Sequence, residues 1–190
     1  MNRDYNPAHA TIKNQGHDVT VRWKEDAGKI IINGTHFKLL RCHWHSPSEH
    51  TFNGTRYNLE LHVVHMSSNG KIAVIGITYK YGPPDPFLAK LSSHISSIGK
   101  EEKDIGIVNP DDIKFGSRKH YRYIGSLTTP PCTEGVIWTI VEKVRTVSRE
   151  QVQALRDAVD DGFEANARPT QQLEGRPILL SDPGFKEGSK

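Results

Sequence analysis

Histidine is the residue type that stands out in this chain of 190 residues, because five of its ten histidines fall between positions 43 and 65. Two of them, His43 and His45, lie on the predicted strand Phe37–His45. The two-residue period of a strand puts them on the same face, about 6–7 Å apart. Two imidazoles at that separation can converge on one metal ion.

A second predicted strand, Asn58–His65, carries the third candidate ligand. The same period puts Glu60 and His62 on one face and His65 on the other. Because a short connection joins the two strands, we expect them to be neighbours, so that His62 joins the histidine pair of the first strand. Zinc with three protein ligands keeps a fourth position for water, which is the arrangement of a catalytic site.

Each of these features alone has a simpler explanation. A His-x-His pair on a strand is usually half-exposed and free of metal, and a single Glu-x-His pair usually lies on the surface. The two pairs in one strand–turn–strand segment, with Glu49 between them, favour a metal site. Glu60 is suited to orienting a ligand imidazole through its other nitrogen. His50 and His65 need no metal role, since buried histidines commonly hydrogen-bond to backbone or to polar side chains.

The elements that must position these residues are mostly short strands with turns between them. Asn-Gly pairs at 33–34, 53–54 and 69–70 are typical of hairpin turns and favour an antiparallel meander. The predicted strands are His17–Trp23, Lys29–Ile32, Phe37–His45, Asn58–His65, Ile72–Lys80, Tyr121–Leu127, Val136–Val144 and Pro177–Leu180. This pattern predicts a mainly β protein, a single domain over residues 1–190 around a large, mostly antiparallel, twisted central sheet.

A few peripheral helices complete the predicted fold. Asp85 before Pro86 is typical of a helix N-cap, and Ser148 with Gln151 three residues later is typical of a capping box. Each cap precedes apolar residues at helical spacing. These residues are Leu88, Leu91, Ile95 and Ile98 in the first helix, and Val152, Leu155 and Val159 in the second.

The composition excludes several classes of function. Lys and Arg exceed Asp and Glu by only 25 to 22, so nothing supports a nucleic-acid partner. No apolar run approaches the roughly 18 residues of a membrane span. Cys42 and Cys132 are too few for a disulfide scaffold. The first residues lack the apolar stretch of a secretory signal, so no targeting peptide is expected, while sequons at Asn33 and Asn53 hint weakly at secretion.

Three segments carry a more specific pattern: CHWHSPSEH at Cys42–His50, ELHVVH at Glu60–His65, and GSLTTPPC at Gly125–Cys132. In this order and spacing they resemble the α-class carbonic anhydrases. Ser46–His50 and Tyr121–Ser126 are similar to the plant branch of that family. The resemblance covers nearly all of the chain and implies the α-carbonic anhydrase fold.

The resemblance implies a role for each matching residue. Those that match zinc ligands are His43, His45 and His62. Thr128 matches a threonine that donates its hydroxyl to the glutamate at Glu49 and accepts from a zinc-bound hydroxide. Thr129 lies beside it at the substrate mouth, and Glu60 matches the glutamate that supports a ligand.

A substrate pocket and a proton relay are implied on the same grounds. An apolar pocket beside the metal would hold carbon dioxide, although the same residues would also serve as plain core. They are Val64, Val74, Leu127, Val136 and Trp138, with Thr128 and Thr129 at the mouth. His17 matches the proton-shuttle histidine near the rim, where an imidazole that titrates near neutrality can pass a proton through water.

Three positions in the matched segments depart from the family pattern. Arg41 stands where a glutamine is common, and strand parity puts it on the ligand face. A cation there would weaken metal binding or acidify the bound water further, unless the side chain turns outward. Gln15 and Thr20 replace cavity asparagines, which should alter the water network.

Family members carry several tens of residues before the segment that matches Asn2–Thr11. Cys132 matches a half-cystine whose partner lies in that part, so we expect a free thiol. Cys42 is not expected to replace the partner, because it points away from the ligand face. The resemblance therefore implies an N-terminally incomplete domain that keeps its zinc ligands but lacks edge strands.

The leading interpretation is a zinc lyase that reversibly hydrates carbon dioxide to bicarbonate and a proton through a zinc-bound hydroxide. The alternative is a catalytically weak or inactive storage or binding protein, since the plant branch includes tuber storage and nectar proteins; a third is a fragment that folds poorly. The expected partners are carbon dioxide, bicarbonate, water and sulfonamide inhibitors. The resemblance implies the chloroplast stroma or the secretory pathway, and a monomer or weak dimer.

Overall fold

A computed structural model describes residues 2–183, in which a large sheet is flanked by two helices. The strands are β1 (Asn2–Tyr5), β2 (Ala8–Asn14), β3 (Val19–Trp23), β4 (Gly28–Ile32), β5 (Thr35–His45), β6 (Thr51–Phe52), β7 (Thr55–Arg56), β8 (Leu59–Ser67), β9 (Ile72–Tyr81), β10 (Lys103–Val108), β11 (His120–Ser126), β12 (Glu134–Val141), β13 (Arg145–Val147) and β14 (Leu179–Ser181). The helices are α1 (Pro86–Ser96) and α2 (Arg149–Asp157), with a 3₁₀ turn at Pro110–Asp112.

Strand β5 lies near the centre of the sheet and pairs with three others. Its first part is antiparallel to β4 and its second part to β3, while β8 runs antiparallel along its other side. β9 is antiparallel to β8, but both β12 and β13 pair with β9 in parallel. The predicted mainly β, mostly antiparallel sheet is therefore confirmed. The predicted simple meander is wrong, because β3 and β4 both pair with β5. In addition, β12 and β13 pair with β9 in parallel.

The two faces of the sheet carry different cores, because side chains alternate along each strand. Cys42 and Trp44 of β5 belong to the larger cluster, which also contains the buried residues of both helices. The residues between and after them, His43 and His45, point to the opposite face. That face carries a smaller apolar cluster around Trp138. The alternation in β5 thus separates the packing residues from the histidines.

The two predicted helix caps are present. The Asp85 side chain accepts from the backbone N–H of Leu88 at 3.0 Å, and Ser148 forms a capping box with Gln151. The apolar stripes pack against the larger cluster as predicted, although Ile98 and Val159 lie just beyond the ends of α1 and α2. Neither α1 nor α2, the α-helices of residues 2–183, has the length and apolar character to cross a bilayer.

Six strands of residues 2–183 lie outside the predicted ones: β1, β2, β6, β7, β10 and β13. β1 and β2 precede the first predicted strand, β6 and β7 flank the predicted Asn53-Gly54 turn, and β10 lies in a segment for which no element was predicted. The inward positions of β2 include Ala8 and Ala10, whose short side chains give a weak alternating signal. β10 shifts its register against β2 between Asp104 and Ile107, which breaks the period of two. The strand predicted over Val136–Val144 instead ends at Val141, and β13 follows after a break.

His65 lies on the larger core side of β8, away from the other histidines. It is fully buried; its Nδ1–H donates to the carbonyl of Ala73 at 3.3 Å, and its Nε2 lies 2.6 Å from the Tyr5 hydroxyl. With Nδ1 carrying the proton, Nε2 accepts from Tyr5. Burial lowers the pKa of His65 to about 3. The expectation that a buried His65 hydrogen-bonds to backbone or to a polar side chain agrees with this geometry.

We expect NMR titration to show a neutral His65 imidazole at every pH well above 3. Because the unfolded-state pKa is about 6.5, the unfolded chain binds this proton more tightly. The free energy of unfolding therefore falls as the pH decreases from about 6.5 towards the folded-state pKa. Above about pH 6.5 the ring is neutral in both the folded and the unfolded state, so His65 does not change the stability there. The exposed His36 of β5 provides the reference signal. A His65 midpoint near the unfolded value would contradict the structure.

Candidate metal centre

The register between β5 and β8 brings the three predicted ligands together. His43 lies directly opposite His62, and His45 lies opposite Glu60. The ring centroids of the three histidines are 4.6–5.2 Å apart, and one nitrogen from each lies within 4.8 Å of the others. All three side chains are buried. A single ion can be reached by all three, as the strand period predicted.

The hydrogen bonds of these imidazoles leave one nitrogen of each for a metal. His62 Nε2–H donates to Glu60 Oε1 at 2.9 Å, which leaves Nδ1 free. His45 Nδ1–H donates to the carbonyl of Asn166 at 3.3 Å, and its Nε2 is buried without a partner. Neither ring nitrogen of His43 has a hydrogen bond within residues 2–183, and its Nδ1 is buried. Nitrogen atoms of this kind fit Zn²⁺, which binds neutral imidazole readily.

The electrostatics of the site favour neutral histidines. Burial lowers the pKa of His45, and the neighbouring His62 lowers it further. Burial also lowers the pKa of His43 well below its usual range; Asp18 opposes this shift, while the other two ligands add to it. Only the neutral ring can bind a metal, so burial prepares both residues for that task.

Glu60 connects the ligands to the loop that follows β5. Its Oε1 accepts from His62 and from His50 Nδ1–H, the latter at 2.6 Å. Its Oε2 accepts from the backbone N–H groups of Glu49 and His50 at 2.9 and 2.8 Å. Burial alone would raise the pKa of Glu60, but His50 and His62 hold it well below its usual range. The residue is therefore an ionised, fully bonded carboxylate.

His50 is bonded on both sides of its ring. Nδ1 donates to Glu60, and Nε2 lies 2.6 Å from the hydroxyl of Tyr123. Burial would lower the pKa of His50, but the charge and hydrogen bond of Glu60 raise it. The ligand atoms of His50, Glu60 and His62 also lie close enough for an ion. Because they bond to one another, they form a hydrogen-bonded cluster behind the ligands instead of a second metal site.

Glu49 and Thr128 line the same cavity of about 200 Å³. The hydrogen bond that the resemblance implies between them is not formed. Glu49 Oε1 instead accepts from the backbone N–H of Arg168 at 2.8 Å, and its Oε2 is buried without a partner, 4.0 Å from His62 Nδ1. The Thr128 hydroxyl has no hydrogen bond among the described residues, and Thr129 is exposed in the adjoining turn.

The residues predicted for the substrate pocket are in one place. Four of the five predicted members are buried in the smaller cluster with Ile140, and Leu127 packs against them as a partly buried neighbour. The four are Val64, Val74, Val136 and Trp138. The indole of Trp138 lies with its centroid 4.8 Å from that of His62. An apolar surface therefore adjoins the ligands, and its use as a substrate pocket stays a prediction.

His17 lies in the turn between β2 and β3, and its side chain is 43% exposed. Its carbonyl accepts from Asn166 Nδ2 at 2.7 Å, and its ring packs edge-on against Phe163. The backbone carbonyl of Asn166 also accepts from His45 Nδ1–H, so one residue, through its side chain and its backbone, links the turn of His17 to a predicted ligand. The partial exposure is compatible with exchange of a proton with solvent.

Sequence reasoning missed Asn166, Arg168 and Gly76. Asn166 bonds His17, Trp44, His45 and Ser46, more than 100 positions away in the chain. No local pattern marks it or Arg168, because their roles arise only when a distant irregular segment folds over β5. Gly76 offered a signal that was overlooked, since a glycine inside an apolar strand often marks a close approach.

Arg41 lies on the ligand face, as strand parity predicted, and pairs with Val64. Its positive charge lowers the pKa of His43, with a smaller effect than burial and the neighbouring histidines. Cys42 is buried in the opposite core, and Cys132 is partly buried. Both are free thiols among the described residues, as expected.

A larger cavity, of about 800 Å³, lies far from these residues along the sheet. Its lining includes Arg3, Phe115, His120 and Thr139, and none of the predicted site residues. It lies between β1, the segment 114–118 and β12. The histidine cluster, and not the cavity volume, therefore identifies the candidate site.

Comparison with known proteins assigns this architecture. A family model described as eukaryotic-type carbonic anhydrase matches residues 1–182. The chain belongs to the carbonic anhydrase family. It is 59% identical over 181 residues to alpha carbonic anhydrase 4 of Arabidopsis thaliana, covering 95% of this chain and 68% of that protein. The histidine cluster and the adjoining apolar surface therefore occur in a member of this family.

Solved structures of the family are also similar. Dioscorin complexed with ascorbate superposes with a TM-score of 0.91 and 42% identity, covering 94% of this chain and 76% of that one. The α-carbonic anhydrase of Thermovibrio ammonificans, in complex with the inhibitor sulfanilamide, has a TM-score of 0.83 and 37% identity. There the comparison covers 92% of this chain and 76% of the other. The fold predicted from the sequence is thus the fold of the family.

We predict that Gly76→Ala disrupts the support of His62. An added Cβ would lie 2.9 Å from Glu60 Oε1 and 2.8 Å from Ile140 Cδ1, closer than Cβ atoms normally approach. Overpacking of this kind costs about 1–3 kcal/mol, so the free energy of unfolding in urea should fall by that amount, with weaker zinc retention. Gly99→Ala is the control, because a Cβ there meets nothing within 4 Å. Equal stability of the two variants would contradict the prediction.

We also predict that Arg41→Gln increases zinc affinity by roughly three- to tenfold, because it removes a cation from the ligand face. Arg41→Lys keeps the charge and should change the affinity much less. Competition with a chromophoric chelator measures both values. Arg22→Gln, an exposed position opposite Arg41 on β3, controls for a general change in net charge. An unchanged affinity in Arg41→Gln would show that the guanidinium does not act on the centre.

Proposed function

We propose that this chain catalyses the zinc-dependent, reversible hydration of carbon dioxide to bicarbonate and a proton. The observation that carries the proposal is the cluster of His43, His45 and His62, three buried imidazoles with nitrogen atoms available at one point. Membership of the carbonic anhydrase family and the adjoining apolar surface support it.

In this proposal the three histidines hold the zinc ion. Zinc bound by three imidazoles supplies a Lewis acid that makes water nucleophilic at neutral pH. Glu60 accepts from His62 and thereby keeps the opposite nitrogen deprotonated and aimed at the site. The carbonyl of Asn166 acts in the same way on His45. These two acceptors select the tautomer of two of the ligands.

Glu49 and Thr128 are proposed to orient the attacking water. Glu49 Oε2 is buried, lacks a donor and lies beside His62 Nδ1, so it can accept one more hydrogen bond. Thr128 lines the same cavity, and its hydroxyl has no hydrogen-bond partner within residues 2–183. A hydroxyl that donates to a carboxylate can accept only from its other side. Joined to Glu49, Thr128 would therefore accept from the water and aim its lone pair at the substrate carbon.

The apolar surface is proposed to receive carbon dioxide, which carries no net charge or dipole. This surface offers few polar groups that could bind water at that side of the site. It consists of Val64, Val74, Leu127, Val136 and Trp138. Exclusion of water there would favour the uncharged substrate over bicarbonate. Thr129 is proposed to lie at the entrance, where it is exposed.

His17 is proposed to remove the proton. Its imidazole is partly exposed in the turn before β3, and a hydrogen-bonded water chain would link it to the site. The hydrogen bond to Asp18 raises the pKa of His17, while burial opposes that shift. A group that titrates close to neutral pH can both receive a proton and release it to buffer.

A second candidate is a binding or storage protein with little or no turnover. The likeness to dioscorin, whose structure contains ascorbate, and the cation of Arg41 on the ligand face favour it. An intact set of three histidines argues against loss of the metal. Metal content and turnover together separate the two functions, because a binding protein can hold zinc without catalysis.

The proposal predicts rapid carbon dioxide hydration by the purified, zinc-supplemented chain in stopped-flow measurements. A sulfonamide should inhibit it, as the sulfanilamide complex of the Thermovibrio ammonificans enzyme suggests. His62→Ala should abolish turnover and lower zinc affinity by more than the roughly 10–100-fold that follows loss of an outer-shell partner. His65→Ala should leave zinc stoichiometry largely intact, because this residue lies on the opposite face of β8.

Equal zinc loss in both variants would show that the ligand face is misassigned. Background rates from a folded, zinc-loaded chain would favour the binding protein. The oligomeric state expected from the resemblance, a monomer or weak dimer, can be measured on the same samples by analytical ultracentrifugation.

A further inference from the structure

Asp18 is a buried carboxylate that the proposed reaction does not use. It follows His17 directly, in the turn before β3, and only 2% of its surface is exposed. Its Oδ1 accepts from the Thr20 hydroxyl at 2.7 Å, and its Oδ2 lies 3.4 Å from His17 Nε2. A buried charge is costly unless it is bonded, so these two partners define what the residue can do.

The geometry gives the two nitrogens of His17 different surroundings. Nε2 faces the carboxylate of Asp18, whereas no hydrogen bond is made by Nδ1 within residues 2–183. Phe163 packs against the edge of the ring, with centroids 6.4 Å apart. The backbone of His17 is held by Asn166. Asp18 therefore completes a set of contacts that restricts the ring and leaves one nitrogen for exchange with solvent.

Among the charged groups near His17, Asp18 has the largest effect on the pKa of His17. Burial would raise the pKa of Asp18, but its bonds to His17 and Thr20 and the nearby His43 hold it well below its usual range. The carboxylate is thus charged at neutral pH, and its hydrogen bond raises the pKa of His17. Arg41 on β5 has the opposite effect.

The other charged groups beside this turn are paired with each other. Asp160, in the segment after α2, lies against Gly16 and forms an ion pair with Lys100 at 3.2 Å. It also accepts from Asn14 Nδ2 at 3.1 Å. Asp160 therefore provides a natural comparison, since it is a carboxylate beside the same turn whose contacts are with Gly16, Asn14 and Lys100.

We propose that Asp18 is a positioning residue for His17, which holds the imidazole by Nε2 and leaves Nδ1 to exchange protons with solvent. The contact joins two residues that are not predicted metal ligands, so the positioning can be tested independently of catalysis. Its consequence for turnover rests on the proposed function, because only a hydration reaction produces the proton that His17 would carry.

The test uses Asp18→Asn, which keeps the shape of the side chain and removes its charge. NMR titration should move the His17 midpoint to lower pH by roughly half a unit or more relative to the unmodified chain. Asp160→Asn is the matched control and should leave that midpoint in place. An unchanged midpoint in Asp18→Asn would overturn the proposal.

A measurement on the unmodified chain covers the case in which Asp18→Asn does not fold. The His17 midpoint itself should lie above the ordinary value of about 6.5, with the proton of the neutral ring on Nε2. A midpoint at or below that value, or a neutral ring protonated on Nδ1, would overturn the proposal without any variant.

Turnover then tests the consequence. In weak buffer, proton release by Asp18→Asn should be several-fold slower, and added imidazole should restore it. In a His17→Ala background the same substitution should have no further effect. A further loss there would overturn the positioning role. If the chain shows no hydration at all, the proposed function fails, while the NMR midpoints still decide whether Asp18 holds His17.

Discussion

The candidate site depends on one buried carboxylate. Glu60 is fully buried and accepts hydrogen bonds from two backbone N–H groups and two imidazoles. Since a buried charge is tolerated only when such bonds are complete, the loop that carries Glu49 and His50 has to follow a course that brings these donors to β8. The same carboxylate orients His62. The path of the loop and the tautomer of a predicted ligand are therefore set by one interaction.

Asn166 plays a similar part on the other side of the histidines. It accepts from Ser46 and His45 and donates to the carbonyls of His17 and Trp44. An irregular segment near the end of the described chain thereby holds β5 and the turn before β3 in fixed relation. With Glu60 behind His62 and Asn166 behind His45, these two predicted ligands have little freedom to rotate. Such preorganisation would lower the free-energy cost of ordering the side chains around a metal ion.

The strand period explains why much of the site could be predicted from sequence. Because side chains alternate, the pattern alone separated His43 and His45 from Cys42, and His62 from His65. The prediction failed where the signal was not periodic. β2 has alanines at inward positions, and β10 contains a register shift. The parallel pairing of β12 with β9 escaped because no local pattern records which strand a distant segment will join.

Residue types and their alternation therefore establish which side chains share a face: the three histidines, Glu60 and the apolar residues beside them. This alternation is a local property, because any sequence in a strand points successive side chains to opposite faces. The hydrogen bonds of Glu49 are not local in this sense. Its bond to Arg168 instead of Thr128, like the four contacts of Asn166, joins segments more than 100 positions apart. Such contacts depend on how loops close over the sheet, which is decided by the packing of the whole fold.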